Sequence, residues 1–218
     1  MSVRNSRRSE PELTFSDKEL FDLAIAWIVL SVAFALLLAP IHRAEWVTVG
    51  YFLTRVVLSF VTVGVAFLLH ELAHKVVAIE YGQIAEFRAD YQMLFLAIMS
   101  ALIGFLFAAP GAVYHRGRIT LEENGHIALA GPVTNLLLAL LFFPLLILFR
   151  GQTELAWYLG LIGHMGVLIN LFLAAFNMIP FGPLDGKSVL EWSKPVFAAV
   201  FGLSLVLLAG FLFRFGFW

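Results

Sequence analysis

The chain has 218 residues, 61% of them hydrophobic and 13% charged, with a mean hydropathy of +0.91. Soluble domains run near half apolar and a quarter charged, so an ordinary water-soluble enzyme is excluded and a polytopic membrane protein is expected. A formal net charge of −1 leaves no polybasic face for nucleic acid, and the absence of cysteine means that any metal must be held by His, Asp or Glu.

Residues 1–20, with Arg4, Arg7, Arg8, Glu10, Glu12, Asp17 and Lys18, read as a polar N-terminal tail rather than a cleaved signal. Residues 21–218 read as a single membrane domain. The apolar run from Phe21 to Pro40 is long enough to cross about 30 Å of hydrocarbon. A short link through His42, Arg43 and Glu45 leads to a second span, roughly Tyr51 to Ile79, whose last third carries polar residues that a lipid-facing helix would not tolerate. Three later segments, roughly His126–Phe149, Ala156–Met178 and Pro195–Phe217, have the length and apolarity of spans. The stretch Met93–Ala109 is short for a crossing and ends in Ala-Ala-Pro-Gly.

The expected fold is therefore an all-α membrane protein, a polytopic helical bundle of about five spans with a re-entrant or interfacial segment near 93–109. With that stretch not crossing, ten basic residues fall on the side of the N-terminus and four, Arg43, Arg55, Arg150 and Arg214, on the other. The positive-inside rule then puts the N-terminus in the cytoplasm of a multi-pass cell-membrane protein.

The polar residues closing the second span read His70-Glu71-Leu72-Ala73-His74, an HExxH pattern with helical, apolar flanks. Positions four apart on a helix differ by about 40°, so both imidazoles leave one face and can share a metal, with Glu71 one step round. Zinc suits neutral imidazole and, at a catalytic site, takes three protein ligands. Placing His, Glu and His inside an apolar span costs several kcal/mol unless they are mutually satisfied or hydrated. Candidates for the third ligand are Asp185, Glu154, Glu191, Glu122, Glu123, His126 and His164. Asp185 stands out because it ends a stretch from Asn177 in which Pro180, Gly182 and Pro183 break the helix, although a plain interfacial turn with a solvated Asp185 reads equally well. Gly131-Pro132 reads as the small, stiff opening of the third span, and the lone intramembrane His164 as a satisfied core histidine.

His70-Glu71-xx-His74, then Gly131-Pro132-xx-Asn135, then Asn177-xx-Pro180-xx-Pro183-Leu184-Asp185-Gly186, resembles the site-2 protease family of intramembrane zinc metalloproteases. The motifs come in the family's order and cover about Phe67 to Gly186. The resemblance implies one Zn2+ per chain held by His70, His74 and Asp185, Glu71 as catalytic acid and base, and Asn177 and Asn135 as substrate-binding residues. It also implies a single-span membrane protein as substrate, cut in or near its transmembrane segment. The chain departs from better-known microbial members in leaving room for one span after Asp185 and no PDZ module, as in a compact prokaryotic variant. It departs too in an unusually apolar region between the first two motifs, where relatives have short strands.

For Asp185 to reach a metal on His70 and His74, an even number of crossings must separate them, so Met93–Ala109 is expected to be a hairpin or interfacial helix. The competing function is a metal-ion or proton transporter using the intramembrane His and Asp residues as a relay. A catalytically dead binder of membrane helices is a third reading.

Overall fold

A computed structural model describes residues 13–107, 109–149, 151 and 153–216, and of residue 115 the backbone alone. Arg4, Arg7, Arg8, Glu10, Glu12 and Arg150, used above for charge and orientation, lie outside the described residues. The chain is a polytopic all-α membrane protein with five helices long and apolar enough to cross a membrane. These are α1 (Asp17–Leu38), α2 (Val49–Glu80), α4 (Leu121–Leu148), α5 (Glu154–Asn177) and α7 (Lys194–Phe215). Shorter elements complete the chain: β1 (Ile84–Ala89), α3 (Tyr91–Ile103), β2 (Gly111–Arg116) and α6 (Asp185–Trp192).

Helix starts follow side-chain chemistry. Ser16, Thr48, Thr120 and Thr153 each accept a hydrogen bond from a first-turn amide of α1, α2, α4 and α5, and Glu123 closes a capping box with Thr120. Gly131-Pro132 does not open its span as expected; α4 begins ten residues earlier at that threonine cap and carries both residues in its interior. The α4–α5 hairpin is close-packed because Gly160, Gly163 and Gly166 recur every three residues on α5. A Cβ at Gly160 or Gly163 would strike backbone atoms of Phe149 or Leu146 within 2.3 Å.

The segment expected to be re-entrant is a hairpin. α3 has only 13 residues, about 20 Å of rise, too short for the hydrocarbon thickness. It packs along α1, and the amide of Asp90 donates to the carbonyl of Pro110, so the chain returns to where it left. Such a helix leaves C-terminal carbonyls that lipid cannot satisfy. Arg43 Nη1 donates to the Ile103 carbonyl at 3.0 Å and His42 Nε2 lies 2.8 Å from that of Leu102. The link between α1 and α2 thus caps α3 at one end of the bundle. At the other end β1 and β2 pair antiparallel, Ile84 against Arg116 through Ala89 against Gly111.

The first helix starts four residues before the expected Phe21, and its added turn is part of the core rather than of a loose tail. Glu19 and Asp22 are fully buried and take the outer edge of β1: the Phe87 amide donates to Glu19 Oε1 at 3.0 Å, and the Ala89 amide to Asp22 Oδ2 at 3.4 Å. Lys75, the residue after His74, donates to both Glu19 oxygens at 2.7 and 2.6 Å and is itself buried. Ser16 donates to Glu86, and this bond, followed by the Arg88 contact, holds the Glu86 carboxyl below its ordinary range.

Lys75→Met should therefore destabilise the protein by about 3–5 kcal/mol, because it leaves Glu19 charged and buried without its partner. The double variant Lys75→Met, Glu19→Leu should recover most of that loss, as read from thermal unfolding in detergent.

Candidate active site

His70 lies ten residues, about 15 Å, from the C-terminal end of α2, well inside the bundle. Its Nε2 is 3.0 Å from His74 Nε2. The α5–α6 turn swings back beneath α2 because Gly186 lets α6 rest on the end of α5; a Cβ there would sit 2.1 Å from the Met178 carbonyl oxygen. This brings Asp185 Oδ2 to 3.3 Å from His70 Nε2 and Oδ1 to 3.4 Å from His74 Nε2. Among the described residues, His70, His74 and Asp185 form the one group of three metal-type donors, with ligand atoms all within 4.8 Å of one another.

The tautomers are fixed from behind. His74 Nδ1 lies 2.7 Å from the Ile127 carbonyl, which can only accept, so that nitrogen carries a proton and Nε2 is the atom turned toward the other donors. His70 Nδ1 lies 2.6 Å from Asn135 Oδ1. The Asn135 amide is oriented in turn by donating to the Ala66 carbonyl and to Asn170 Oδ1, and Asn170 donates to the Gly166 carbonyl. Both imidazoles therefore turn Nε2 toward one point, beside a carboxylate.

This geometry fits zinc. Tetrahedral bonds of the usual Zn–N and Zn–O lengths put ligand atoms about 3.3–3.6 Å apart, close to the separations observed. Asp185 Oδ2 and Glu71 Oε2 are buried with no hydrogen-bond partner, which a cation and its water would supply. Space is kept for them by Gly131 on α4, where a Cβ would lie 2.5 Å from both imidazole Nε2 atoms.

A cleft of about 180 Å3 opens on the cluster, walled by Glu71, by Gly111–Val113 of β2 and by Asn124, Asn177 and Leu184. Asn177 donates one amide hydrogen to the Leu173 carbonyl at 3.1 Å and is partly exposed along this wall. Asn135, expected with it at the substrate, is wholly buried behind His70. Of the other candidate ligands, His126 meets the Tyr81 hydroxyl and Trp192, Glu123 caps α4, and His164 lines a different cavity. Asn170 was not singled out from sequence, although an asparagine in an apolar span is itself a signal.

Comparison with known proteins bears on the chemistry. Over 206 residues, 94% of this chain and 97% of the relative, the chain is 43% identical to a Methanocaldococcus jannaschii protein named putative zinc metalloprotease MJ0611. This chain belongs to that zinc metalloprotease family. A second member, named putative zinc metalloprotease YwhC, from Bacillus subtilis, is 33% identical over 145 residues, 60% of this chain and 66% of its own. No family model and no solved structure matches the chain. Zinc is the metal in both relatives' names, in keeping with the donor set His70, His74 and Asp185 of this zinc metalloprotease.

Proposed function

We propose that this zinc metalloprotease is an intramembrane endopeptidase of the site-2 protease type, hydrolysing a peptide bond in or near the transmembrane segment of a single-span protein. The observation that carries the reading is Glu71, buried and without a hydrogen-bond partner, one residue from the first imidazole and within a bundle of apolar spans. His70, His74 and Asp185 hold one zinc, which when bound supplies the Lewis acidity that makes water nucleophilic near neutral pH. Glu71 takes the proton of the attacking water and passes it to the leaving amine. Asn177, on the cleft wall, offers its second amide hydrogen to the developing oxyanion, a contribution of about 3–4 kcal/mol for a donor of this kind. Asn135 and Asn170 hold the imidazole of His70 in place and leave substrate contact to others.

Substrate must reach the cleft unwound, because a helix keeps its carbonyls in its own hydrogen bonds. β2 offers it a place: β1 covers one of its edges, no described strand covers the other, and Gly111–Val113 line the cleft. An extended segment paired there would have its backbone presented to Glu71. The protein sits in the cell membrane with its N-terminus in the cytoplasm, so the cleft opens toward the cytoplasmic side. A transporter would have no need of a carboxylate directly after the first ligand, which favours hydrolysis.

The test is cleavage of a single-span reporter by purified protein carrying one zinc per chain. Phenanthroline should stop cleavage and added zinc should restore it. Cleavage that persists in metal-free protein overturns the reading.

A further inference from the structure

Glu71 stands on the border between two faces of α2. At about 100° per residue, His70 and His74 lie to one side of it, and Leu68, Leu72 and Lys75 to the other. The first face belongs to the metal cleft; the second lines a separate cavity of about 180 Å3 that contains none of the three metal-type donors. Glu71 and Val113 line both spaces, which therefore adjoin at those two side chains.

The walls of this second cavity are hydrocarbon. Leu68 and Leu72 come from α2, Leu23 from α1, and Phe87 and Val113 from the sheet. Its other charged neighbours, Lys75 and Glu19, are bonded to each other, Nζ to Oε2 at 2.6 Å. A cavity of about 150 Å3 with walls of this kind takes a benzene-sized group, so there is room here for one large aliphatic or aromatic side chain. Strand register indicates where it would come from. Phe87 and Val113 are partners across β1 and β2, and the Phe87 ring meets that of Phe67 on α2 at 5.6 Å, so both side chains leave the sheet toward α2. A segment added along the uncovered edge of β2 continues this alternation, and its residue opposite Val113 points the same way.

We propose that the cavity is a specificity pocket for the substrate residue that pairs opposite Val113, so that the protein selects a large aliphatic or aromatic side chain at one position close to the cleaved bond. The inference rests on the proteolytic reading of the site. Backbone pairing with β2 is indifferent to sequence, and a pocket beneath one alternate side chain supplies the discrimination. A charged side chain would exchange its hydration for hydrocarbon there.

The test uses the full chain with zinc and a single-span reporter whose cleaved bond is located by mass spectrometry, its flanking positions changed one at a time to Ala, Leu, Phe, Asp or Lys. At one position Leu or Phe should be cut about 10- to 100-fold faster than Ala in kcat/KM, and Asp and Lys more slowly than Ala. Leu72→Trp and Leu23→Trp, which narrow the cavity from two different helices, should each bring the Leu-to-Ala ratio near one, and Leu72→Ala, which widens it, should move the preference from Leu to Phe. Independently of turnover, photo-leucine at the selected position should crosslink to Leu23, Leu68 or Leu72 in the Glu71→Gln variant. Zinc-dependent cleavage indifferent to the side chain overturns the pocket and leaves the proteolytic reading standing, whereas no zinc-dependent cleavage of any reporter overturns both. A preference unchanged in all three variants, the result if an acyl chain of the bilayer fills the cavity, overturns the pocket, as does a crosslink formed only elsewhere.

Discussion

Glu71→Gln should leave one zinc per chain in place and lower the cleavage rate by about 100- to 10,000-fold, the range for loss of a general acid and base. The change is nearly isosteric, and the zinc donors are the imidazoles and Asp185, whose positions do not depend on Glu71. What disappears is a carboxylate that can take a proton at one moment and return it at another; an amide can do neither. Metal analysis and reporter cleavage on the same preparation separate the two effects. Zinc lost together with activity would make Glu71 a ligand and overturn the assignment of roles.

Gly131→Ala should be nearly as damaging for a different reason. A methyl there would lie 2.5 Å from Nε2 of both His70 and His74, inside van der Waals contact, and both rings are held from behind by Asn135 and Ile127. One ring must leave its bond or the third wall of the site must move. Zinc affinity should fall by at least about 10- to 100-fold, the penalty typical of disturbing the groups that orient metal-binding histidines. Alanine favours helix over glycine, so helix content should hold while zinc is lost, which circular dichroism beside zinc titration would show. Gly202→Ala, where a new Cβ meets nothing within 4 Å, is the matching control and should bind zinc as the parent does.

The five spans were legible because lipid demands long, uninterrupted apolar runs, and α1, α2, α4, α5 and α7 each begin within a few residues of where the apolar pattern does. The pairing of His70 with His74 was legible because it depends on helical pitch alone. Asp185 was assigned to the metal through the family resemblance, and its approach to within 3.4 Å then required an even number of crossings, which is how the non-crossing of Met93–Ala109 was reached.

Other features turn on contacts between distant parts of the chain, for which hydropathy carries no signal. Glu19 read as a tail residue, and Asp22 went unremarked in the first span, because their partners Lys75, Phe87, Ala89 and Tyr91 are more than 50 positions away. β1 and β2 were hidden by the apolar α3 between them, and α6 by the proline-rich turn before it. Asn135 was given a substrate role on resemblance; the path from Gly166 through Asn170 and Asn135 to His70 emerges only once α4 and α5 lie against α2.

The bonds from His42 and Arg43 to the end of α3 have a mechanical consequence. A single hairpin has its tip fastened at one rim of the membrane and its returning arm, from Pro110 onward, forming a wall of the reaction cleft near the opposite rim. The clasp acts as a remote fixed point: untying it would free a lever whose other arm borders the catalytic groups. An alteration in the loop between the first two spans is thereby given a route to the far side of the bilayer, across two hydrogen bonds and then along the hairpin, without passing through the helix that bears the metal donors.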